Sequence, residues 1–346
     1  MIWLALRRHR TNLLIVLGLA IALGAWMVLV VWQFRTAPVI RTVTIPGHGL
    51  VKERQVDYGP RLFQLTWQVT EINALLLLLP CVAGALLGGP LVAGEYDDRT
   101  NRLAWTQGIS RTRWLATKLV VVGFPLVLIT AALAVGTHLW SFHVLGANSG
   151  AFGAYSRFNH MLPGVFPASG IVPVAYALFA FALGSTLGAL LRRTTWAIVA
   201  TVVVYGLALL VMTTLVRPVL APQLFVYGTP TTAQQRILYA GGNRFDPADP
   251  VGTAAPWAIT EYGVNVFDRG FRPRPGSPSP DAIVVRCEYH APDVQACIDA
   301  AHVTTGTGYQ PAVNYWILQW RESALYVAAA MILIAVGLGA VRRWRA

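Results

Sequence analysis

The stretch Leu13–Trp32 reads LLIVLGLAIALGAWMVLVVW and contains no charged residue. A transmembrane helix needs about 20 mostly apolar residues to cross the hydrocarbon core of a bilayer, so this stretch predicts one. It is longer than the roughly 7–15 apolar residues of a secretory signal peptide. We therefore expect it to be a permanent membrane span.

Five further stretches of similar length and apolarity follow along the chain. They are about Ile72–Ala93, Leu119–Trp140, about Ile171–Leu191, Trp196–Val216 and about Ala324–Val341. Only 12% of the 346 residues are charged and 55% are hydrophobic, whereas about 25% are charged in soluble domains, which excludes an ordinary soluble enzyme. The sequence predicts an all-α polytopic membrane protein with six transmembrane helices. The second helix is expected to be weakest at its inner end, where glycines from Gly84 to Gly89 precede Pro90.

The distribution of charge predicts the orientation in the membrane. The net charge is +12, from 27 Lys and Arg against 15 Asp and Glu, and a basic balance also occurs in nucleic-acid-binding proteins. With both termini in the cytoplasm, the inner segments contain 13 of the 27 basic residues and three of the 15 acidic ones, which gives +10 inside against +2 outside. Because cytoplasmic loops are enriched in Lys and Arg, topology explains the charge. We expect a multi-pass protein of a bacterial cytoplasmic membrane and no nucleic-acid partner.

The predicted spans divide the chain into four parts. Residues 1–12 place apolar residues beside arginines, which fits either an interfacial helix or a basic flank that only fixes topology. Residues 13–216 contain spans one to five. Residues 217–319 are predicted to form an extracytoplasmic domain, named the outer segment below, and residues 320–346 contain span six and a basic cytoplasmic tail.

Two cysteines, Cys287 and Cys297, lie ten positions apart in the outer segment. Outside the cytoplasm a disulfide between them is the favoured interpretation. Free thiols, or a metal site that would add His290 and His302, are the alternatives. Because this spacing matches no compact zinc signature, we predict no metal site. Cys81, in the second span, is expected to be a packing residue.

Several motifs of enzyme active sites are absent from the sequence. A phosphate-binding loop needs a glycine directly before its lysine, but Lys52 follows Val51 and Lys118 follows Thr117. There is no H-E-x-x-H and no G-x-S-x-G motif. The spans also contain almost none of the buried acids and histidines that ion-driven carriers use. We predict that the chain is not an enzyme and binds no cofactor itself.

The inner segment Gly94–Lys118 differs from the other connections and reads GEYDDRTNRLAWTQGISRTRWLATK. It begins with acids and then becomes basic, with apolar residues such as Leu103 and Trp105 among polar neighbours. Residues 94–108 fit a short cytoplasmic helix with acids near its N-terminus, where the helix dipole favours them. Such a helix can sit in a groove of a partner. The alternative is an ordinary inner loop whose arginines fix the topology.

Two motifs connect the chain to a family. The first is Glu95…Thr100…Leu103-Ala104-Trp105-Thr106-Gln107…Ser110-Arg111…Arg113-Trp114-Leu115…Lys118, and the second is Tyr309-Gln310-Pro311…Trp316…Gln319…Glu322. Both resemble ABC transporter permeases of the type-2 export class, the actinobacterial branch in particular, and the six-span layout agrees. The first motif departs at Arg99-Thr100, where the family usually has Gly-Thr. A glycine there would allow a tight turn with positive φ.

The resemblance implies a partner and a mechanism. Two six-span halves, identical or different, pair with two cytoplasmic ATPase subunits that bind ATP and Mg²⁺. The inner segment is then the coupling helix that docks on the ATPase, with Trp105 as its apolar anchor. The residues implied to make or shape this contact are Glu95, Arg99, Thr100, Trp105, Ser110, Arg111 and Arg113.

The resemblance also implies a translocation path along spans two and five. Its candidate residues are Gly84, Gly88, Ala200, Thr201 and Gly206, although small residues equally allow helices to pack closely. An apolar cavity without ionisable groups favours an amphipathic or hydrophobic substrate, such as a drug, an antibiotic or a lipid-like molecule, exported by alternating access. The alternative function is a non-transporting sensor or assembly factor whose outer segment binds a ligand.

Overall fold

The computed structural model describes residues 2–36, 60–97, 110–146, 165–221, 224–228, 257–261, 296–297, 305–310 and 314–343. Within these ranges, six helical spans are long and apolar enough to cross a membrane. This confirms the six-helix prediction.

The spans are built from α-helices that we number in chain order through the described residues. They are α1 (Ile2–Thr36), α2 (Pro60–Ala83), α3 (Gly89–Asp97), α4 (Arg111–Gly146), α5 (Val172–Leu191), α6 (Thr194–Val211) and α7 (Tyr315–Arg342). A π-helical segment, Gly84–Gly88, joins α2 to α3, so these two helices form one span. A second π-helical segment, Met212–Val216, extends α6 and leads into a 3-10 turn at Arg217–Val219. Another 3-10 turn, Phe166–Ala168, lies shortly before α5.

The first and last spans differ from their predicted limits. Residues 2–12, predicted as an interfacial helix, continue without a break into the first span, so that α1 is one helix of 35 residues. The last helix begins at Tyr315 rather than at the predicted Ala324. Its first turns carry Gln319 and Glu322, and both side chains are buried inside the bundle. Polar residues with internal partners therefore extend the helix beyond its apolar stretch.

The glycines of the second span make a close helix contact. Gly84 and Gly88 lie four residues apart, as do Gly184 and Gly188 of α5. A Cβ on Gly84 would lie 2.5 Å from the carbonyl oxygen of Ala180, and one on Gly184 would lie 2.4 Å from the carbonyl oxygen of Gly84. Small residues at this spacing let two helix backbones approach each other, and here they seat the second span against α5.

The expected weak point of the second span is the π-helical segment itself. A π-helical turn leaves the regular pattern of helical hydrogen bonds, and the carbonyl oxygen of Leu86 accepts a bond from Asn12 Nδ2 of α1 at 2.7 Å. The chain thus stays helical through Gly84–Gly88 because packing and this hydrogen bond support the irregular turn.

Three apolar clusters fill the bundle and show how the helices alternate in direction. One cluster contains Val16 of α1, Trp114 of α4 and Val341 of α7. The start of the first span and the end of the last span therefore lie at the same end of the bundle. Another cluster, with Met27 and Trp140, lies at the opposite end. We name the first end inner and the second end outer, after the orientation that the charges predict.

Part of the outer segment forms a three-stranded antiparallel sheet in the order β1–β3–β2. The strands are β1 (Leu224–Gly228), β2 (Trp257–Glu261) and β3 (Thr305–Gln310). β1 and β3 are paired from Leu224 opposite Tyr309 to Gly228 opposite Thr305. The all-helical prediction therefore holds for the membrane spans, and the sheet is an addition within the outer segment.

Candidate coupling site and outer polar cluster

The inner end of α3 begins the segment predicted to dock on a partner. Glu95 is buried there and forms a salt bridge with Lys118 of α4. The Lys118 ammonium also donates to the carbonyl oxygen of Leu91 at 3.5 Å and lies 4.1 Å from the ring centroid of Trp114. Glu95 therefore faces the protein interior and joins α3 to α4.

The next two residues of α3 contact the short turn between α5 and α6. The Tyr96 hydroxyl accepts a hydrogen bond from Arg192 Nη1 at 3.2 Å, and the guanidinium lies 5.2 Å from the centroid of the Tyr96 ring. Arg192 has a left-handed backbone with φ of 57°, a conformation that costs free energy for a residue with a Cβ. The contact with Tyr96 therefore helps to fix an unfavourable turn.

Asp97 caps α6 from a neighbouring helix. Its Oδ2 accepts hydrogen bonds from the backbone N–H of Thr194 at 3.0 Å and from the Thr194 hydroxyl at 2.8 Å. The residue at the N-cap position, Arg193, makes no side-chain capping bond. Carboxylates are among the preferred caps because they satisfy N–H groups that lack a helical partner. A residue of α3 thus supplies the cap that α6 lacks.

The far end of the same inner segment is fixed at the start of α4. Ser110 Oγ accepts a hydrogen bond from the backbone N–H of Arg113 at 3.4 Å, which is the geometry of a helix N-cap. The Arg113 side chain is exposed and Arg111 is half-buried. Three further predicted contact residues lie outside the described residues: Arg99, Thr100 and Trp105.

A second polar site lies at the outer end of the bundle. Arg217 forms a double hydrogen bond with Glu322, from Nε to Oε2 at 2.8 Å and from Nη2 to Oε1 at 2.7 Å. The Tyr176 hydroxyl accepts from Arg217 Nη2 at 3.0 Å and donates to Glu322 Oε1. Neither charged side chain is exposed to solvent. The site joins α5, the end of α6 and α7, and with Gln319 we name it the outer polar cluster.

The contact with Glu322 maintains the positive charge of Arg217. Burial lowers the pKa of the Arg217 guanidinium, but the hydrogen bond and negative charge of Glu322 outweigh burial and raise the pKa above its ordinary value. Paired hydrogen bonds between a guanidinium and a carboxylate are among the strong contacts in proteins. Arg217 therefore stays protonated inside the protein.

Gln319 connects α7 to the start of α5. Its Oε1 accepts hydrogen bonds from the backbone N–H groups of Ile171 at 3.0 Å and Val172 at 3.1 Å. Its Nε2 donates to the carbonyl oxygens of Phe166 and Ser169, both at 3.1 Å. One side chain thus satisfies four backbone groups that a helix start and a tight turn leave without helical partners.

The sequence indicates only part of this cluster. Gln319 and Glu322 belong to the second family-like motif, but no single residue type reveals their partners. Arg217 directly follows an uninterrupted apolar span, and the predicted topology places it in the outer segment. Since isolated charges are costly inside a membrane protein, an arginine at a span end and an acid near the next span form a signal for such a pair.

The predicted path residues do not share one surface. Gly84 and Gly88 are packed against α5. Thr201 is buried and donates its hydroxyl hydrogen to the carbonyl oxygen of Ala197 in its own helix at 2.6 Å. Gly206 is exposed, with no atom within 4 Å of the place where a Cβ would lie. Ala200, which directly precedes Thr201 in α6, is half-buried.

The structure describes two of the three cysteines. Cys81 is buried with a free thiol, as expected for a packing residue. Cys297 is disulfide-bonded. Cys287 lies outside the described residues, as do His290 and His302. The pairing of Cys287 with Cys297 therefore stays a prediction.

A family model described as "ABC-2 membrane transporter related" matches residues 17–217. The match begins within α1 and ends at Arg217, so it covers the first five spans and more than half of the chain. No curated protein and no solved structure matches the chain.

Proposed function

Because the chain belongs to the ABC-2 membrane transporter related family, and so is a multi-pass permease of the ABC type, we propose that it forms the membrane part of an ATP-driven exporter. In this proposal a separate ATPase subunit binds ATP and Mg²⁺ and supplies the free energy. The permease moves an amphipathic or hydrophobic substrate out of the cytoplasm by alternating access. A second six-span half, identical or different, and two ATPase copies complete the transporter.

The observation that carries the proposal is the way in which the inner segment is anchored. Its first end is connected to α4 through Glu95 and Lys118, and to the α5–α6 turn through Asp97 and Thr194. Its second end begins α4 at the Ser110 cap. A partner that displaces residues 98–109 therefore acts on three helices at once. This arrangement suits a segment that receives force from another protein.

Positive charge at the inner end supports an acidic docking surface on the ATPase. The exposed arginines there are Arg113, Arg192, Arg193, Arg342 and Arg343. Complementary charge mainly raises the rate and specificity of association. Arg111 and Arg113, next to the predicted coupling helix, are the proposed contacts, and Glu95 is a positioning residue because it is buried.

The proposed substrate class agrees with the apolar lining of a narrow crevice between α2, α4 and the start of α5, which has space for about one water molecule. Pro80, Leu133 and Ala134 contribute to its lining, together with Thr130 and Thr137. Both threonine hydroxyls donate to carbonyl oxygens of their own helix, at 2.9 and 2.8 Å. The crevice is too small to hold a substrate, but its mostly hydrocarbon lining fits the apolar class that we propose.

The test begins with a search for an ABC ATPase gene beside this one and continues with reconstitution of the two proteins. We expect the two proteins to co-purify and the permease to stimulate ATP hydrolysis in proteoliposomes. The double variant Arg111→Glu/Arg113→Glu should abolish the stimulation while the protein elutes as the parent does. The matched control is Arg343→Glu, an exposed charge at the inner end of α7, which should retain stimulation.

Two outcomes would contradict the proposal. Full stimulation by the double variant would remove the docking assignment. Normal cellular function in a strain without any ABC ATPase partner would favour the non-transporting sensor or assembly factor. In that case ligand binding should map to the outer segment.

A further inference from the structure

The helix α6 has little protein around it. Of its 18 residues, only Ala197, Thr201 and Tyr205 are buried. Large apolar residues such as Val203 and Leu207 are more than half exposed. In the membrane these side chains meet lipid or the proposed second half of the transporter, so burial within this chain restrains α6 along one narrow face only.

The outer half of α6 is bonded to other helices, since the Tyr205 hydroxyl donates to the carbonyl oxygen of Leu77 and the carbonyl oxygen of Ala208 accepts from the Tyr326 hydroxyl, both at 3.3 Å. The contact with Asp97 joins its inner end to α3.

The inner end of α6 is fixed by a contact that water can reach. Asp97 is exposed and Thr194 is only half-buried, although the carboxylate makes two hydrogen bonds to Thr194. Water competes for the groups of an exposed polar contact, so such a contact contributes little to stability. Such a contact can change without a large cost.

The outer end of α6 is fixed by the outer polar cluster. Arg217 directly follows the π-helical segment Met212–Val216 and is fully buried against Glu322. Removing a partner from a buried ion pair is strongly unfavourable because it leaves a buried charge uncompensated. π-Helical turns often mark functional positions in helices. The outer end is therefore a fixed point with an irregular turn beside it.

We propose that α6 tilts about its outer end when the inner segment moves, and that Asp97 is the positioning residue that transmits this movement. The tilt begins at Thr194, where α3 caps α6, and ends at the π-helical turn before Arg217. The force that moves residues 98–109 comes from the ATPase and so rests on the proposed function. The unequal attachment of the two ends does not depend on it.

The role of Asp97 lies in its hydrogen bonds to α6. Asp97→Ala removes both acceptors and uncouples the inner end of α6 from α3. Asp97→Asn keeps an oxygen that can accept from the Thr194 N–H and hydroxyl, so it should retain the attachment without the charge. This pair of variants separates a capping role from a general charge effect.

The experiment measures two distances by spin labelling in nanodiscs, in a Cys81→Ala background. The inner pair is Trp196→Cys with Arg343→Cys, and the outer pair is Val219→Cys with Trp320→Cys. All four positions are exposed. In the Asp97→Ala protein we expect the inner distance distribution to shift or broaden and the outer one to match the parent. Asp97→Asn should match the parent at both pairs.

Two results would overturn the proposal. An unchanged inner distribution in Asp97→Ala would show that the cap does not position α6. An equal change at the outer pair would show that the outer end is no fixed point, or that the variant misfolds, and unaltered thermal unfolding would exclude misfolding. Because this experiment needs no ATPase, its failure is distinct from a failure of co-purification, which tests the proposed function.

Discussion

The two ends of α6 are both attached through a carboxylate, but the two attachments differ in their access to water. At the outer end, Arg217 and Glu322 form a double hydrogen bond inside the protein and neither is exposed. At the inner end, Asp97 bonds to Thr194 at the surface. A carboxylate therefore makes a contact that is hard to break at the outer end of α6 and a contact that is easy to change at its inner end.

This difference separates a contact that holds helices together from a contact that allows a helix to change position. A buried pair that loses one member leaves a charge without a partner, which costs about 3–5 kcal/mol. An exposed helix cap costs about 0.5–2 kcal/mol when it is removed. A transporter needs its helices to stay together at one place and to rearrange at another. For α6, the outer end meets the first need and the inner end the second, while the buried pair of Glu95 and Lys118 keeps α3 and α4 joined.

The largest effect is expected at the outer pair. Arg217→Met leaves Glu322 buried without its cation and should lower the free energy of unfolding by about 3–5 kcal/mol. The measurement is thermal unfolding in detergent. The double variant Arg217→Met/Glu322→Met should recover much of the loss, since buried ion pairs can often be replaced by apolar residues. Equal melting of Arg217→Met and the parent would contradict the importance of the cluster.

The next effect concerns the amide that caps α5. Gln319→Leu leaves the N–H groups of Ile171 and Val172 and two carbonyl oxygens without this partner, so we expect a loss of about 2–3 kcal/mol. Trp320→Leu is the matched control, because that neighbouring side chain is exposed. If both variants unfold at the same temperature, the hydrogen bonds of Gln319 do not stabilise the outer end.

A third variant tests the close contact between the second span and α5, which lies between the two ends of the bundle. Gly84→Ala places a methyl group against the Ala180 carbonyl oxygen, and overpacking of this kind costs about 1–3 kcal/mol. Gly206→Ala meets no atom and should be neutral or slightly stabilising, because alanine favours helix. A loss of export by Gly206→Ala with normal stability would favour its role on the translocation path.

The smallest effect on stability is expected at the inner end. Asp97→Ala should lower the free energy of unfolding by about 1 kcal/mol, within the usual range for a helix cap. Its effect on permease-stimulated ATP hydrolysis should be larger than this loss suggests, because the contact transmits movement. A variant that melts several degrees lower but couples normally would reverse the assignment and make the inner end structural.

The six spans were predictable because each is a long apolar stretch, and a membrane allows few alternatives for such a sequence. Their limits were less predictable. Gln319 and Glu322 precede the apolar part of the last span, yet they lie inside α7. A polar side chain can enter a membrane helix when another segment supplies its partners. The partner of Glu322, Arg217, lies 105 positions away, and the backbone groups that Gln319 binds lie between Phe166 and Val172.

The candidate site was predictable as a segment but not as a set of contacts. The composition of residues 94–118 separates it from the other inner connections. It does not reveal that Glu95 is buried against Lys118, or that Asp97 caps another helix. A carboxylate looks the same in sequence whether it faces a partner protein or a neighbouring helix. The glycines were ambiguous for a similar reason, and their close contacts with α5 favour packing.

The pairing of β1 with β3 has a consequence for how such chains can vary. The first strand follows Arg217 by a few residues, and the last strand ends shortly before Glu322. Paired strands and a buried ion pair thus close the outer segment into a loop whose two ends meet. Lengthening a closed loop adds only about 0.6 kcal/mol for each doubling. The connections from β1 to β2 and from β2 to β3 can therefore be shortened or extended while the membrane helices keep their positions.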